Sequence, residues 1–468
     1  MFLISTIDKQ LKPDIMDRLK DSETIKKISK TVETTCNIDN ELFKTFNVKR
    51  GLRNEDHTGV VVGLTKVGDV VGYERDAEGK LTPIPGRLIY RGISLEDIVK
   101  GAQKEDRLGF EEVVYLILSG NLPSREELKE FSGVISRTMD LNPKIVMHIL
   151  DLVGKDIMNY LSRCVLELYT FDENPDDTTP ENLIKQSVNL IATFPTIVAY
   201  AHNAIRHGQG KSLHIRHPQP DVSLAENFLY MMKGRHYTPL DVKILDLAMM
   251  VHADHGGGNN STFTVRVTSS TGTDTYSTIA AGIGSLKGPL HGGANLKVID
   301  MIQTIKSEVK DWTSVEEIDN YLCKILNKEA YDRTGLIYGI GHAIYTISDP
   351  RTVLLKEMAR DLAIEKGREA EYNFYTLLEE RAIFNFMETK GKNVNKQVCA
   401  NVDFYSGFVY DMIGLPQEIY TPLFAMARIV GWTAHRIEEL NFKQKRIIRP
   451  AYKNAADVRE YIPIDKRE

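Results

Sequence analysis

From Leu95 onward, apolar residues recur at helical spacing for most of the chain, and the breaks between runs carry helix-end chemistry. FEEVVYLILSG closes on Gly120, and NLPSREEL follows as a turn and a fresh helix start. Ser94 in SLEDIV stands where a cap would, with Asp97 three residues on. PLDVKILDLAMMVH opens on Thr238 and Pro239 with Asp241 in the first turn, where proline fits and the helix dipole favours an acid. A chain patterned this way buries its apolar stripes by packing helix on helix. The exception is 59–91, where valines and glycines alternate with turn signals such as EGK and PIPG, and a small β-hairpin region is predicted there. Residues 1–50 read as charged helices, and FDENPDDTTPEN (171–182) as a loop. The predicted fold class is mostly α, with a small β-hairpin region near the N-terminus.

At 468 residues the chain has room for two domains. Hydrophobic content of 42% and charged content of 26% are those of an ordinary globular protein. A net charge of −5 gives no reason to expect nucleic acid or an anionic membrane as partner. Any anion site must therefore come from local basic residues. Cys36, Cys164, Cys323 and Cys399 show no CxxC spacing, which argues against a zinc ribbon or redox pair and suggests a reducing compartment. The N-terminus lacks signal- and transit-peptide features, and 189–205 is interrupted by Pro195, His202 and Asn203, short of a membrane span. A cytoplasmic location is expected.

Three histidines lie beside glycines, which tolerate φ > 0 and let backbone approach a ligand closely: His255 in HADHGGGNNST, His291 in GPLHGGAN and His342 in YGIGHAIY. His252 and His255 fall on one face at a helix end, suited either to a hydrogen-bonded core pair or to a ligand site; HxxH can bind metal, but the glutamate of HExxH is missing. His291 cannot sit comfortably inside a helix and belongs to a loop, either solvated or functional. Arg351, after Asp349 and Pro350, is suited to grip a carboxylate at two points or to pair with a neighbouring acid. Asp403 sits among Val402, Phe404 and Tyr405; desolvated there it would gain the basicity a general base needs, although a cap aspartate has the same residue type. In TPLFAMARIVGWTAHRIEEL, Thr421 and Pro422 are predicted to open a helix with an apolar stripe at Leu423, Ala427, Val430, Ala434 and Ile437, leaving Arg428 off the stripe to face a cleft or solvent. No GxxxxGK[ST] loop and no GxGxxG after a strand occur, which disfavours nucleotide hydrolysis and dinucleotide redox chemistry.

Taken in order, HADHGGGNNST, GPLHGGAN, the GxGH of YGIGHAIY, DPR, NVDFYSG, ARIVGWTAHRIEE and IIRP resemble the citrate synthase family, from about residue 50 to 455. The resemblance implies a large helical domain (1–292 and 405–468, with residues 1–50 as an extension) and a small one (293–404) that close over substrates. It implies a homodimer with shared active sites and an acyltransferase of the citrate (Si)-synthase type, serving the tricarboxylic acid cycle. Such an enzyme condenses oxaloacetate with acetyl-CoA without metal or other cofactor. By motif position, Asp403 matches the base, His291 the group that hydrogen-bonds the thioester oxygen, and His342 the group that polarises the ketone. His255, Arg351, Arg428 and Arg449 match the oxaloacetate ligands, with Arg449 reaching from the partner subunit. Thr346 stands where the family often has a basic contact to CoA, and AYKN follows IIRP where a second basic residue is common, with Lys453 as a candidate substitute. A 2-methylcitrate synthase using propionyl-CoA is the near alternative, and a non-catalytic CoA- or dicarboxylate-binding paralogue the remoter one.

Overall fold

The computed structural model describes residues 22–467 apart from 55, 57, 79, 153 and 392–396. The helical reading of residues 1–21 lies outside these. The chain clusters into two units, Gly63–Ile448 and a smaller one made of Met1–Val62 with Arg449–Glu468. In the smaller unit, α1 (Glu23–Thr35) and α2 (Glu41–Thr45) bury no residue, and Ile25, Ile28 and Val32 stay exposed. The predicted domain boundaries at 292/293 and 404/405 both fall inside the larger unit.

The larger unit begins with an antiparallel sheet in the order β1 (Gly68–Arg75), β2 (Leu81–Tyr90), β3 (Ile93–Ser94), in register from Gly68 opposite Tyr90 to Arg75 opposite Leu81 with one irregularity between Val71 and Tyr73. The strands occupy the later part of the predicted region: 60–67 forms no strand, Val61 and Leu64 are exposed, and Leu64 O accepts from Arg266 Nη2 at 3.3 Å. Helices then follow to residue 440: α3 (Leu95–Lys104), α4 (Phe110–Ser119), α5 (Arg125–Thr138), α6 (Pro143–Asp151), α7 (Ile157–Leu168), α8 (Pro180–Gly208), α9 (Leu224–Lys233), α10 (Pro239–His252), α11 (Asn260–Ser269), α12 (Thr275–Lys287), α13 (Ala294–Glu308), α14 (Val315–Leu326), α15 (Pro350–Glu365), α16 (Glu369–Phe386), α17 (Asp403–Met412) and α18 (Tyr420–Leu440).

Local chemistry accounts for many of the ends. Thr238 and Asp241 form a reciprocal capping box at α10, Ser124 and Glu127 another at α5, and Gly120 ends α4 in the left-handed conformation. One expectation holds in position only and one fails. Ser94 is the N-cap of α3, as expected, but its side chain makes no cap bond. Thr421 and Pro422 lie one and two residues inside α18, where Thr421 Oγ1 donates to the carbonyl of Gly292 at 3.1 Å and so ties α18 to the His291 loop.

Two helices form the middle of the core. In α8 every residue from Leu190 to Asn203 is buried, so its apolar run is a core segment; among the described residues no helix is long and apolar enough to cross a membrane. In α18 every residue from Tyr420 to Arg436 is buried except Phe424. The one-sided stripe predicted for α18 is therefore replaced by burial all round, because α8, α10, α11 and α12 all pack against it. This places Arg428 inside the protein.

Candidate functional site

Arg428 is the residue around which the site is built. It is 0% exposed; its Nε donates to the carbonyl of His252 at 2.8 Å, and Phe424 lies under the guanidinium with its ring centroid 4.7 Å from Cζ. Neither Nη1 nor Nη2 has a hydrogen-bond partner. Burial pushes this guanidinium down to about 10, with the carboxylate of Asp254 opposing the shift. A buried cation with two unused nitrogens normally costs several kcal/mol, and an anionic ligand is the group that would satisfy it.

The C-terminus of α10 delivers the first histidines. The helix ends at His252, and Gly256 at φ +75 turns the chain so that His255 projects beyond the helix. His255 is buried, its Nε2 has no partner, and burial followed by the charge of Arg351 holds it well below the usual imidazole range, hence neutral. Its ring meets that of His342 edge-on at 5.2 Å.

His342 is held by backbone. Gly339 and Gly341 both have positive φ, which lets 339–341 run beside 399–401: Gly341 N–H donates to Cys399 O at 2.8 Å and Asn401 N–H to Gly339 O at 2.9 Å. Asn401 then links the two segments, because its Nδ2 donates to Gly341 O at 2.9 Å while its Oδ1 accepts from Asp403 N–H at 3.0 Å. Two glycine turns and one asparagine thus join the His342 loop to the start of α17, which carries Asp403. His342 Nδ1 accepts from the N–H groups of Ile344 and Tyr345, both at 3.0 Å. In the neutral ring the proton is then on Nε2, which makes that atom a donor. The ring stacks on Tyr345 at 4.6 Å.

His291 lies in the loop between α12 and α13, as predicted. Its Nε2 accepts from Ser261 N–H at 3.3 Å and lies 3.0 Å from Ser261 Oγ, at the N-terminus of α11. Ser261 Oγ in turn accepts from Trp432 Nε1 at 3.1 Å. The neutral ring therefore carries its proton on Nδ1. Burial, then the charge of Arg428, pushes His291 down to about 4, so it is uncharged near neutrality.

Arg351 is buried, not a surface ion pair: its Nε and Nη2 meet Asp349 Oδ1 and Oδ2 at 3.0 and 2.7 Å. Burial lowers its basicity, but the Asp349 pairing outweighs this and raises it overall. Asp349 also caps α15 through Arg351 N–H and accepts from Val402 N–H at 3.2 Å, next to Asp403. Asp403 opens α17 and is partly buried; burial pushes it up to about 6 against the lowering influence of Arg351. Desolvation, aided by the charge of Asp349, thus outweighs the nearby cation.

His255, His291, His342, Arg351, Arg428 and Asp403 therefore interact through ring contacts and mutual charge effects within one unit. Arg449 is exposed and belongs to the smaller unit, where Lys453 Nζ lies 5.2 Å over the ring of Phe46. Thr346 is buried, with its hydroxyl unpartnered. Ser261 and Asn401 lie inside the HADHGGGNNST and NVDFYSG motifs, yet the sequence alone assigns no role to them or to Phe424, because their contacts are with distant segments. Among the described residues no group of three or more His, Cys, Asp or Glu is placed to hold a metal ion, and all four cysteines are free. Chemically, the arrangement offers two guanidinium groups for a dianion, neutral imidazole donors for developing oxyanions, and one carboxylate basic enough to accept a proton near neutral pH.

The family described as "Citrate synthase, C-terminal domain" matches residues 56–451. The citrate synthase of Deinococcus radiodurans is 38% identical over 400 residues, covering 84% of this chain and 96% of that protein. A relative from Corynebacterium glutamicum named 2-methylcitrate synthase 1 is 33% identical over 399 residues, covering 83% and 94%. Among solved structures, the citrate synthase of Thermoplasma acidophilum, in ternary complex with carboxymethyl coenzyme A and oxaloacetate, superposes with a TM-score of 0.72 at 29% identity, covering 90% of this chain and 99% of that one. The chain belongs to the citrate synthase family of acyltransferases.

Proposed function

We propose that this protein condenses oxaloacetate with acetyl-CoA and water to give citrate and CoA, and that the six gathered residues carry the reaction. The observation that bears most weight is Arg428, buried with two unused Nη groups beside Arg351, in a site that also holds a carboxyl pushed up to about 6. Arg428, Arg351 and His255 bind the oxaloacetate carboxylates. Asp403 removes a methyl proton from acetyl-CoA, and the Nδ1–H of His291 hydrogen-bonds the thioester oxygen as it becomes an enolate. The enolate carbon attacks the ketone carbon of oxaloacetate, whose oxygen accepts a hydrogen bond from His342 Nε2–H as it gains charge. Water then cleaves the thioester of citryl-CoA and releases CoA. Neutral donors suit both oxyanions, because they stabilise charge without holding the enolate as an ion pair. The thioester is a substrate, and no metal or other cofactor enters the scheme.

The reading extends to a homodimer in the cytoplasm and to a small domain, 293–404, that closes over the substrates and excludes water until the carbon–carbon bond has formed. A steady-state assay with acetyl-CoA and propionyl-CoA at saturating oxaloacetate tests the assignment. Higher kcat/KM for acetyl-CoA is expected; preference for propionyl-CoA would make the protein a 2-methylcitrate synthase, since one methylene is worth only about 1–3 kcal/mol in a pocket.

Activity should depend on Asp403 as carboxylate. Its proton leaves as pH rises through about 6, so kcat/KM is expected to fall about tenfold per unit below that value and to level off above it. His291, pushed down to about 4, stays neutral across this range and does not set the limb. A pH–rate profile flat from 5 to 8 (roughly the interval over which a group near 6 would titrate) contradicts the assignment.

Arg449→Ala is expected to raise KM for oxaloacetate about tenfold, the effect of losing one charge-assisted contact. A hybrid dimer of one Arg449→Ala chain and one Asp403→Ala chain decides where Arg449 acts. If it reaches across the interface, one site regains both residues and turns over normally; if it acts within its own chain, both sites stay impaired.

A further inference from the structure

Asp254 lies between the two histidines of HADH, yet its carboxylate belongs to a different set of contacts. It is fully buried; Oδ2 accepts the N–H of Gly256 at 2.8 Å, and Oδ1 lies 3.2 Å from Nε2 of His435, itself fully buried on α18. His435 Nδ1 lies 2.9 Å from Arg266 Nη1 on α11. That guanidinium continues to Glu438 Oε2 at 2.8 Å and Glu439 Oε2 at 2.9 Å. Arginine only donates, so His435 Nδ1 accepts and the neutral ring turns Nε2–H toward Asp254. Arg266 thus donates to His435 Nδ1, while Asp254 accepts the Gly256 N–H at Oδ2 and faces His435 Nε2 at Oδ1 across a 3.2 Å ion-pair contact that lacks hydrogen-bond alignment.

The space around the carboxylate is shaped for it. A Cβ at Gly68 would stand 2.2 Å from Oδ2, and one at Gly431 would stand 2.4 Å from Oδ1. Gly431 also donates its N–H to Ala253 O at 3.0 Å. Tyr90 Oη donates to the backbone carbonyl of Met250 at 3.0 Å or Asp254 at 3.2 Å. The 253–256 turn is therefore fixed to α18 between Arg428 and His435, and that turn carries His255. Two ligands of the anion site, one on a turn and one on a helix, share a single anchoring carboxylate that is closed off from solvent.

We propose that Asp254, oriented by His435 and Arg266, is a positioning residue that sets oxaloacetate affinity by holding His255 and Arg428 in mutual register. The proposal rests on the oxaloacetate reading of the site. Asp254→Asn is the direct probe: whichever way the carboxamide sits, its NH₂ faces a donor, either Gly256 N–H or His435 Nε2–H, so the turn must shift while side-chain volume is conserved. Expected is a rise in KM for oxaloacetate of about tenfold with kcat within about threefold, and KM for acetyl-CoA unchanged. His435→Leu should match it, and His435→Gln, which keeps one donor and one acceptor, should recover part of the loss. The double variant Asp254→Asn/His435→Leu should be no worse than either single one, because both break the same chain. A role in folding alone would lower the melting temperature without moving the oxaloacetate KM.

An unchanged oxaloacetate KM in folded Asp254→Asn, or additive losses in the double variant, overturns the proposal. Should Asp254→Asn fail to fold, Glu438→Gln at the outer end is the deciding variant: a KM rise of about twofold to threefold supports the proposal and no change overturns it. Calorimetric titration of oxaloacetate into wild type and variants keeps the two readings separate. Absence of CoA release by wild-type protein would count against the catalytic reading, while the variant-to-wild-type ratio of oxaloacetate Kd still decides the positioning role.

Discussion

Asp403→Asn is expected to lower kcat by about a thousandfold while leaving KM for oxaloacetate the same or slightly lower. The size follows from the role. A methyl group next to a thioester is a weak carbon acid, and in this site Asp403 is the carboxylate whose burial lifts it to about 6, near enough to neutrality to accept that proton while still ionised at pH 7. Asparagine keeps the shape and loses the basicity. The sign of the binding effect follows from charge. Asp403 and Arg351 attract one another, so removing the carboxylate frees more of the guanidinium field for an incoming dianion. Two measurements check this: single-turnover condensation, and exchange of the acetyl methyl protons with deuterated water in the presence of oxaloacetate. Both should be suppressed together. Near wild-type turnover in Asp403→Asn would remove Asp403 as the base.

The fold class and the motif-borne half of this site were legible in the sequence for a physical reason. Helix spacing, caps and glycine turns are local, and HADHGGG, YGIGH and NVDF each carry their own backbone geometry within a few residues. The capping box at Thr238 and Asp241 and the positive φ of Gly256 and Gly341 are of this kind. What could not be read is what depends on distant neighbours. The apolar stripe of α18 suggested one buried face, whereas other helices, α8, α10, α11 and α12 among them, pack around it, and this alone converts Arg428 from an off-stripe residue into a buried cation. Arg351 pairs with an acid two residues away, but only its burial makes that pair part of the site. Ser261 and Asn401 have ordinary residue types; one fixes the His291 tautomer through a contact 30 residues away and the other joins loops 60 residues apart. The hairpin was overextended for the complementary reason: valine content marks strand propensity, but among the described residues 60–67 pairs with no strand.

Arg428→Leu should show opposite effects on ligand binding and on the empty protein. With oxaloacetate, the variant loses two charge-assisted hydrogen bonds, each worth about 1.5–3 kcal/mol, so KM is expected to rise by at least about a hundredfold. Without ligand, the wild-type residue is a fully buried cation with both Nη groups unpaired, and its depression to about 10 marks the desolvation that folding imposes on it. Leucine removes that penalty and keeps contact with Phe424, while giving up the single bond from Nε to His252 O. Relief of a buried unpaired charge amounts to several kcal/mol and the lost bond to about 1.5–3, so the empty variant should melt no lower than wild type. Arg428→Lys separates charge from geometry: it keeps a cation but not the planar fork, and should fall between the two in KM. Thermal melting with and without oxaloacetate reads both effects at once. Wild type should gain several degrees on adding the ligand and Arg428→Leu almost none. If the leucine variant kept the full ligand-induced gain, the unpaired nitrogens of Arg428 would not be the anion site, and the oxaloacetate assignment would lose its main support.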